Sequence, residues 1–492
     1  MLIPLQLPPG VHANGTEFES SNRWREASLV RWHDGSMRPV GGWTVRKSSA
    51  FAYAPRAMIS YLDNDSDEHM AAGTYEKLYY VNPALTVTDI TPSSGFTSGS
   101  LNGALNLGYG GGFMGSTNYG RAPTSSGVYA EATTWSLDTW GEYLLGVSST
   151  DGKLLEWQGN PSANAATVAN APVDNLAMVV TEERFVFCLG AGGNPRKVAW
   201  SDKENNTSWT AAATNEAGDM ELQTNGQIMC GVRMRGATLI LTSEDAHLAT
   251  YSGAPFVYGF QRVGTACGIA SRKAAVAIDE GAFWMGKKGF YTFNGSTATE
   301  ISCEVADYVF DDLNPSQVSK VYAVHNSQFG EIWWFYPSAS ANENDRYVTL
   351  DYKEGHWATG VIDRTAGVDQ GIFVNPIWAD ASGNLYNQET GYTHGSVKPY
   401  AESGSISLGN GDTIMKVSKL IPDERTQGQV EVTFKTRFHP NDSETSHGAY
   451  TLSNPTDVRF TGRQVRVKIQ GTANDNWRSG IMRIDAVPGG RR

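Results

Sequence analysis

The chain has 492 residues, of which 18% are charged, and its net charge is −12. It contains no run of about 18 apolar residues, so we expect no membrane span, and its four cysteines are too sparse for a disulfide framework. The opening residues MLIPLQLPPG lack the basic and apolar segments of a secretory signal, which predicts synthesis in the cytoplasm.

The first distinctive segment is SSNRWREASLVRWHDGSMRPVGGW, residues 20–43, which holds three tryptophans and four arginines. SLVRW predicts a strand with Leu29 and Arg31 on one face, and Asp34-Gly35 predicts a turn into a return strand, MRPV. Arginine stacks on tryptophan and pairs with carboxylates, so we favour a structural clamp over a DNA surface. The clamp would hold an N-terminal arm, residues 1–50, on the following domain or on a neighbouring subunit. The clamp candidates are Trp24, Arg31, Trp32, Arg38 and Trp43.

Residues 51–395 read as short apolar strands divided by Gly, Asn, Asp and Ser. A unit of strand, turn and strand recurs, mostly at about 40 to 50 residues, which is typical of β-propeller blades. The sequence therefore predicts an all-β fold with a β-propeller of six or seven blades, and a tandem of β-sandwiches is the alternative. The residues that mark the second strand of each unit are Leu78, Leu154, Val198, Leu248, Phe290, Val348 and Leu385.

The first gap between units is longer because it contains residues 91–127, an insertion rich in Gly, Ser and Asn. Such a composition cannot offset its ordering entropy by burial, which predicts a long loop. Two roles stay open: a surface loop or subunit contact, and a movable gate. Its candidate gate or contact residues are Leu107, Phe113 and Met114.

The end of the chain differs in style. Glu304 to Asp312 is the one clear helix candidate. Residues 396–492 contain strands that alternate apolar with polar or basic residues, as in VEVTFKTRF (430–438) and QVRVKIQG (464–471). This pattern predicts a C-terminal β-sandwich-like domain with a boundary near residue 395.

The charge is unevenly distributed. Residues 1–50 carry a net +2, residues 396–492 carry +4, and residues 51–395 carry −18. Tight binding to DNA needs Lys and Arg contacts to phosphates, which an acidic body does not offer. Such an acidic body is a surface along which a polyanion could pass without sticking. The alternative is that the acidity only keeps the protein in solution.

A search for catalytic and ligand-binding patterns finds no such site. Gly110, Gly112 and Gly115 match a dinucleotide fingerprint but lack its flanking strand and helix. The residues after Asp63, Asp65 and Asp67 lack the glycine and glutamate of a calcium loop, so a hairpin turn is expected there. HExxH, GxSxG and zinc-type cysteine pairs do not occur in the sequence. We expect no cofactor, no metal and no catalytic residue, although a carboxylate pair from two distant blades stays open.

Several segments along the chain, among them NGTEFESSNRWREASLVRWHDGSMRPVGGW (14–43), ERFVFCLGAGGNPRKVAWSD (183–202), AHLATYSGAPFVYGFQRVGTACG (246–268) and GRQVRVKI (462–469), carry a family resemblance. Together they resemble the tail nozzle (tail-tube or stabilisation) proteins of short-tailed bacteriophages. The resemblance implies a propeller-containing homo-hexamer in the virion tail, below the adaptor (head-to-tail connector) protein and close to tail fibres or tailspikes. It also implies a structural role, in which the ring retains the genomic double-stranded DNA and later conducts it during ejection.

Two functions of other classes stay open beside this one. A glycan-binding or glycan-cleaving propeller would present tryptophan, tyrosine and paired acids on one face. A non-viral interaction scaffold would lack any association with a virion.

Overall fold

The computed structural model describes residues 1–105, 129–279, 281–408, 413–439 and 442–490. They are almost entirely β-structure, with 48% of residues in strands and 3% in helices. Their one α-helix is α1 (Ala306–Asp312), inside the helix candidate of the sequence, and short 3₁₀ turns lie at Ala191–Gly193 and Val318–Lys320. Within these residues, no helix has the length and apolar character needed to cross a membrane.

The N-terminal fifty residues form five strands that belong to three different parts of the molecule. They are β1 (Leu2–Pro4), β2 (Trp24–Ser28), β3 (Val30–His33), β4 (Ser36–Pro39) and β5 (Trp43–Lys47). Strands β3 and β4 form the expected hairpin around Asp34 and Gly35, which both have positive φ. The expected single strand SLVRW is wrong, because Leu29 has a φ of 56° and separates β2 from β3. The N–H of Leu29 donates to Tyr347 Oη at 2.7 Å, which helps to hold this break.

Blades one and two flank the insertion. Blade one contains β6 (Ala57–Leu62), β7 (Glu68–Gly73), β8 (Leu78–Val81) and β9 (Val87–Asp89). The described ends of the insertion pair as β10 (Ala104–Leu105) and β11 (Tyr129–Ala130). Blade two contains β12 (Trp135–Trp140), β13 (Tyr143–Ser148), β14 (Leu154–Trp157) and β15 (Ala166–Thr167).

Blades three to five follow with the same four-stranded antiparallel order. Blade three contains β16 (Ala177–Val180), β17 (Val186–Leu189), β18 (Lys197–Trp200) and β19 (Gly218–Glu221). Blade four contains β20 (Ile228–Met234), β21 (Ala237–Thr242), β22 (Asp245–Gly253) and β23 (Val257–Thr265). Blade five contains β24 (Ala275–Ile278), β25 (Gly281–Met285), β26 (Phe290–Phe293) and β27 (Ala298–Ile301).

Blades six and seven complete the ring. Blade six contains β28 (Tyr322–Asn326), β29 (Glu331–Tyr336), β30 (Arg346–Asp351) and β31 (His356–Val361). Blade seven contains β32 (Ala366–Val368), β33 (Ile377–Ala379) and β34 (Leu385–Gln388), and its fourth strand is β5 from the N-terminal arm. The first strand of each blade contacts the first strands of both neighbouring blades, so the propeller is closed and has seven blades. All seven marker residues of the sequence repeat lie in third strands.

The C-terminal strands form two packed sheets. They are β35 (Tyr400–Ser403), β36 (Ile406–Ser407), β37 (Ile414–Ile421), β38 (Val430–Arg437), β39 (Thr445–Thr451), β40 (Thr456–Gly462), β41 (Gln464–Gly471) and β42 (Arg483–Gly490). One sheet has the order β1-β42-β37-β40, and the other has β2-β35-β41-β38-β39 with β36 beside β41. Buried and exposed residues alternate strictly along β40, as expected for one face of a sandwich.

The structure therefore divides residues 1–50 differently from the expected separate arm. Strands β1 and β2 belong to the C-terminal sandwich and β5 belongs to the propeller, because each would otherwise leave a neighbouring strand with unpaired edge groups. Strand β2 also lies against β31 of blade six, and one apolar core runs from Trp334 and Trp357 of that blade through Trp24 and Trp32 to Phe434 of the sandwich.

Candidate functional site

The centre of the predicted clamp is Arg31, which is only 5% exposed. Its Nε and Nη2 donate to Glu331 Oε1 and Oε2 at 2.7 and 2.9 Å, and its Nη1 donates to Glu389 Oε2 at 3.0 Å. The guanidinium carbon lies 3.7 Å from the centroid of the Phe329 ring. One arginine of the arm thus joins blade six, through Glu331, to the segment that follows blade seven, through Glu389.

This cluster holds one cation and two carboxylates away from water. Burial alone lowers the pKa of Arg31, but attraction to Glu331 and Glu389 outweighs it, so the pKa of Arg31 is raised. Burial raises the pKa of Glu331, and repulsion from Glu389 adds to this rise. Further donors stabilise the carboxylates: Trp333 Nε1 donates to Glu331, and the Gly41 N–H donates to Glu389, both at 2.9 Å. The clamp is therefore a buried ion cluster that depends on Arg31 for its charge balance.

The two tryptophans of the clamp connect the sandwich to blade six. Trp24 on β2 and Trp32 on β3 are both buried, and their ring centroids are 6.0 Å apart. Trp32 in turn contacts His356, the first residue of β31, edge to face at 6.2 Å. The aromatic contacts thus run continuously from the C-terminal sandwich into the propeller.

The remaining clamp candidates have smaller roles in this junction. Arg38 lies with its guanidinium carbon 5.5 Å from the centroid of the Phe329 ring, and burial together with repulsion from Arg31 lowers its pKa. Trp43 begins β5 and so belongs to blade seven, where it meets His394 edge to face at 5.3 Å. The structure brings Trp24, Arg31, Trp32 and Arg38 to the arm–propeller junction within one chain and places Trp43 in the propeller itself.

Sequence reasoning missed Glu331, Glu389 and Phe329 as partners of this clamp. Glu331 carried a usable signal, because it is the first residue of the strand EIWWFY, and the remaining five residues are all aliphatic or aromatic and buried. A carboxylate in such a strand needs a buried cation, and Arg31 supplies it from 300 residues away in the chain.

A second notable region is the described base of the insertion, residues 96–105 and 129–134, here named the stem. Phe96 stacks on Trp135 with ring centroids 5.8 Å apart, and the N–H of Thr97 donates to Asp151 Oδ1 at 2.8 Å. Residues 96–103 therefore form the expected loop, but this loop is packed against the propeller. The candidate residues Leu107, Phe113 and Met114 lie outside the described residues.

The stem crosses the axis of the propeller. The first strand of each blade lines the propeller axis and is here called the inner strand. The stem begins and ends beside blades one and two, yet it contacts residues that precede the inner strands of blades five and six. The N–H of Gly103 donates to Gln317 Oε1 at 3.0 Å, the N–H of Ala132 donates to Ser319 Oγ at 3.1 Å, and Arg272 forms an ion pair with Glu131. Since all inner strands start at this face, the stem lies over one opening of the central channel.

Buried charges hold the stem in place. Arg56 and Lys320 are each 3% exposed, and both donate to Glu343, Arg56 at 2.6 and 2.7 Å and Lys320 at 2.8 Å. Arg56 also donates to the Leu101 carbonyl at 3.2 Å, and Lys320 to Asn102 Oδ1 at 2.7 Å. Burial and repulsion from Arg56 lower the pKa of Lys320 to about 8. Burial opposes ionisation of Glu343, but the Arg56 hydrogen bonds lower its pKa below the usual value.

The opposite opening of the channel contains a cavity of about 900 Å³. Its walls come from the ends of the inner strands of blades three to six and from the loop after β30. They carry both signs of charge, including Glu182, Arg233, Arg235, Asp279 and Lys353. Arg233 lies 3.7 Å from Asp138, and burial raises the pKa of that carboxyl. This mixture gives no arrangement of nucleophile, base and oxyanion donors.

The described thiols are poorly suited to nucleophilic chemistry. Cys188, Cys230 and Cys267 are buried, and burial raises the pKa of Cys267 to about 11 and that of Cys230 to about 12. Since the thiolate is the reactive form, these side chains act as small apolar residues.

Two groups of possible metal ligands share Glu354 at the arm–propeller junction. His33, Asp34 and Glu354 form one group, and Asp351, Glu354 and His356 form the other. Glu354 Oε1 accepts from the Asp34 N–H at 3.0 Å, and Asp351 Oδ1 accepts from the Glu354 N–H at 2.8 Å. These carboxylates thus already hold the tip of the β3–β4 hairpin on the last loop of blade six.

A smaller cavity of about 230 Å³ lies between blades one and two, near the loops that follow β6 and β12. Tyr61, Tyr80 and Trp157 form its aromatic wall, and Asp65 and Glu142 supply carboxylates. The Asp63–Asp67 loop beside it is the expected hairpin turn, in which Asp63 Oδ1 accepts from the N–H groups of Asp65 and Asp67.

No family model matches the chain, and no curated protein matches it. Similar solved structures include virginiamycin B lyase from Staphylococcus aureus, with a TM-score of 0.42 at 6% identity over 70% of this chain and 98% of that chain. YCF48 from Cyanidioschyzon merolae has a TM-score of 0.39 at 7% identity over 71% and 98%. PorZ, a type-IX secretion system component of Porphyromonas gingivalis, has 0.39 at 8% over 77% and 44%. Likenesses this distant carry no inference about activity.

Proposed function

We propose that this chain is a structural subunit of the tail nozzle of a short-tailed bacteriophage, where a ring of six copies retains genomic DNA and conducts it during ejection. The observation that carries the proposal is the double connection of the N-terminal arm, which supplies strands to the sandwich and to blade seven and crosses between them through Arg31. A subunit that resists the pressure of packaged DNA needs its domains to be coupled in this way.

The position of the stem favours a particular route for the DNA. Because the stem lies across one opening of the propeller channel, the propeller axis offers no path for a duplex. In a ring of copies the conduit would therefore lie between subunits, on the symmetry axis. The net charge of −18 over residues 51–395 suits walls that DNA passes without tight binding.

Imaging of purified virions or isolated tails by electron cryomicroscopy tests this proposal. The expected result is a closed ring of six copies of this chain directly below the adaptor at the capsid vertex, with its seven-bladed propellers around an open lumen. Particles that lack the chain, or copies whose propeller axes are threaded by DNA, would overturn it.

A glycan-binding or glycan-cleaving propeller is the second candidate. The cavity between blades one and two favours it, because that cavity combines an aromatic wall with carboxylates. Incubation with host surface glycans separates the two functions. Release of sugar that a single carboxylate substitution in this cavity abolishes would establish the enzyme, whereas the nozzle proposal expects no release.

A further inference from the structure

The cavity between blades one and two contains a polar atom without a protein partner. Tyr61 is 7% exposed and lines the cavity, and its Oη is buried and makes no hydrogen bond to the described protein. A buried hydroxyl in this position favours a ligand that donates or accepts a hydrogen bond. The cavity, here named the inter-blade pocket, therefore fits a small polar ligand beside Tyr61.

The aromatic wall of the inter-blade pocket is continuous. The ring centroids of Tyr61 and His69 are 5.6 Å apart, those of His69 and Tyr80 are 5.5 Å apart, and those of Tyr80 and Trp157 are 4.5 Å apart. The faces of aromatic rings attract cations through their quadrupoles. The wall thus favours a ligand that is positively charged.

The charged groups of the pocket point in the same direction. Its described lining includes Asp63, Asp65 and Glu142 but no lysine or arginine. Asp63 is already used by the protein, since Oδ2 pairs with His69 Nε2 at 2.8 Å, and these hydrogen bonds lower its pKa. Glu142 Oε1 accepts from the Asn64 N–H at 2.7 Å. Asp65 and Glu142 thus line the pocket, and within the described part of the chain neither carboxylate forms an ion pair with a lysine or arginine.

A metal ion fits this pocket less well than an organic cation. A metal site needs three or more His, Cys, Asp or Glu side chains whose ligand atoms lie close together. Among the described residues, the carboxylates of this pocket do not form such a group. An ammonium group on an alkyl chain offers three donors for Asp65, Glu142 and Tyr61 Oη and an apolar stem for the aromatic wall.

We propose that the inter-blade pocket binds an alkylammonium group, either that of a polyamine or that of a lysine side chain. The proposal is independent of the nozzle function, because it uses only residues of blades one and two.

Isothermal titration calorimetry of the whole protein with putrescine dihydrochloride, in low-salt buffer, tests the proposal. Putrescine is expected to bind, and Glu142→Gln is expected to weaken it tenfold or more, because it removes a charged acceptor. Tyr61→Phe removes only the hydroxyl and is expected to weaken binding about fivefold. The matched control is Asp475→Asn, which makes the same charge change on the exposed surface of the sandwich and should leave binding unchanged. The thermal midpoint of each variant checks that it is folded.

The competing outcomes are distinct. Equal weakening by Asp475→Asn would reduce the effect to general charge attraction and overturn the proposal. Binding of N-acetylglucosamine but not of putrescine would replace the ammonium site by a sugar site. If neither putrescine nor N-acetylglucosamine binds, the proposal is overturned, and water is the hydrogen-bond partner of Tyr61 Oη. If both putrescine and an Nα-acetyl-lysine amide bind, the tighter ligand identifies the source of the ammonium group.

Discussion

Replacement of Arg31 by alanine removes the cation that pairs with both carboxylates of a buried cluster, Glu331 and Glu389. The side chains of Glu331 and Glu389 are 6% and 4% exposed, so neither can regain the water it lost on folding. Removal of one partner from a buried ion pair typically costs about 3–5 kcal/mol, because the remaining charge stays buried without compensation. We expect Arg31→Ala to fall in this range and to lower the thermal midpoint of the propeller by about 5 °C.

The cost should depend on pH in a definite direction. Without Arg31, burial and mutual repulsion keep the folded-state pKa of at least one glutamate above its value in the unfolded chain. The folded variant then binds more protons than the unfolded chain in the window above the ordinary glutamate pKa, so its stability falls as pH rises through that window. The deficit of Arg31→Ala relative to the wild type should therefore be smaller at pH 5 than at pH 7.

Differential scanning calorimetry of the whole chain measures both effects. Arg38→Ala is the matched control, because Arg38 lies on the same hairpin and near the same Phe329 ring without a carboxylate partner of this kind, and it should cost about 1 kcal/mol or less. The triple variant Arg31→Met, Glu331→Gln, Glu389→Gln should recover most of the loss, because Trp333 and Gly41 can still donate to the amide oxygens. An Arg31→Ala cost no larger than that of Arg38→Ala would refute the reasoning.

Three further predictions concern the stem, the insertion and DNA. The folded-state pKa of Lys320 is about 8 and its ordinary value is 10.5, so between these pH values the unfolded chain binds more protons than the folded chain. The stability of the wild type relative to Lys320→Met should therefore rise by up to about 3 kcal/mol from pH 8 to 10.5, and a stability difference that does not change with pH would exclude the buried-lysine explanation. Replacement of residues 95–125 by a short Gly/Ser linker should lower the thermal midpoint, because it removes Phe96 and the partners of Arg56 and Gln317. Particles in which such a linker replaces only residues 106–128, and which assemble and then leak their genome, would support the gate; fully infectious particles of this kind would eliminate it. At about 150 mM salt the isolated protein should not shift a duplex fragment at low micromolar concentration, and tight, salt-sensitive binding would contradict the conduit.

The propeller could be predicted from the sequence because its blades are local structures. Each unit contains its own alternation of apolar residues and its own turn, as at Asp151-Gly152 between β13 and β14. Neighbouring strands in a blade are close in sequence, so the repeat survives as a pattern. For the same reason the markers Leu78 and Leu385, from the first and the last blade along the chain, both lie in third strands.

The sequence narrowed the blade count only to six or seven and did not reveal the clamp partners, because both depend on contacts between distant residues. Blade seven has three strands of its own, and its fourth, β5, pairs Thr44 with Asn387 from the other end of the chain. The segment WTVRK therefore looks like part of an arm until the ring closes. The same limit applies to Glu389, whose link to Arg31 spans 358 residues.

The stem changes how the insertion should be understood. Its glycine-rich composition predicted a loop, yet residues 96–103 are ordered by partners that no local pattern reveals, such as Gln317 and Lys320. Gly103 shows why a glycine is needed there, since an added Cβ would lie 2.2 Å from the Ser316 carbonyl oxygen. A low content of apolar residues thus indicates that a segment cannot fold alone. It does not mean that the segment cannot fold against the propeller.

The internal contacts also bear on how DNA would meet this protein. Several of the scarce basic side chains of the acidic body are buried within the fold: Arg56 and Lys320 bind Glu343 under the stem, and Arg272 pairs with Glu131. A buried cation cannot contact a phosphate or release its counterions, so it adds nothing to DNA affinity. The ion pairs that hold the stem over the propeller channel therefore also remove positive charge from the surface. The same buried cations account for the position of the stem and contribute to the predicted weak affinity for DNA.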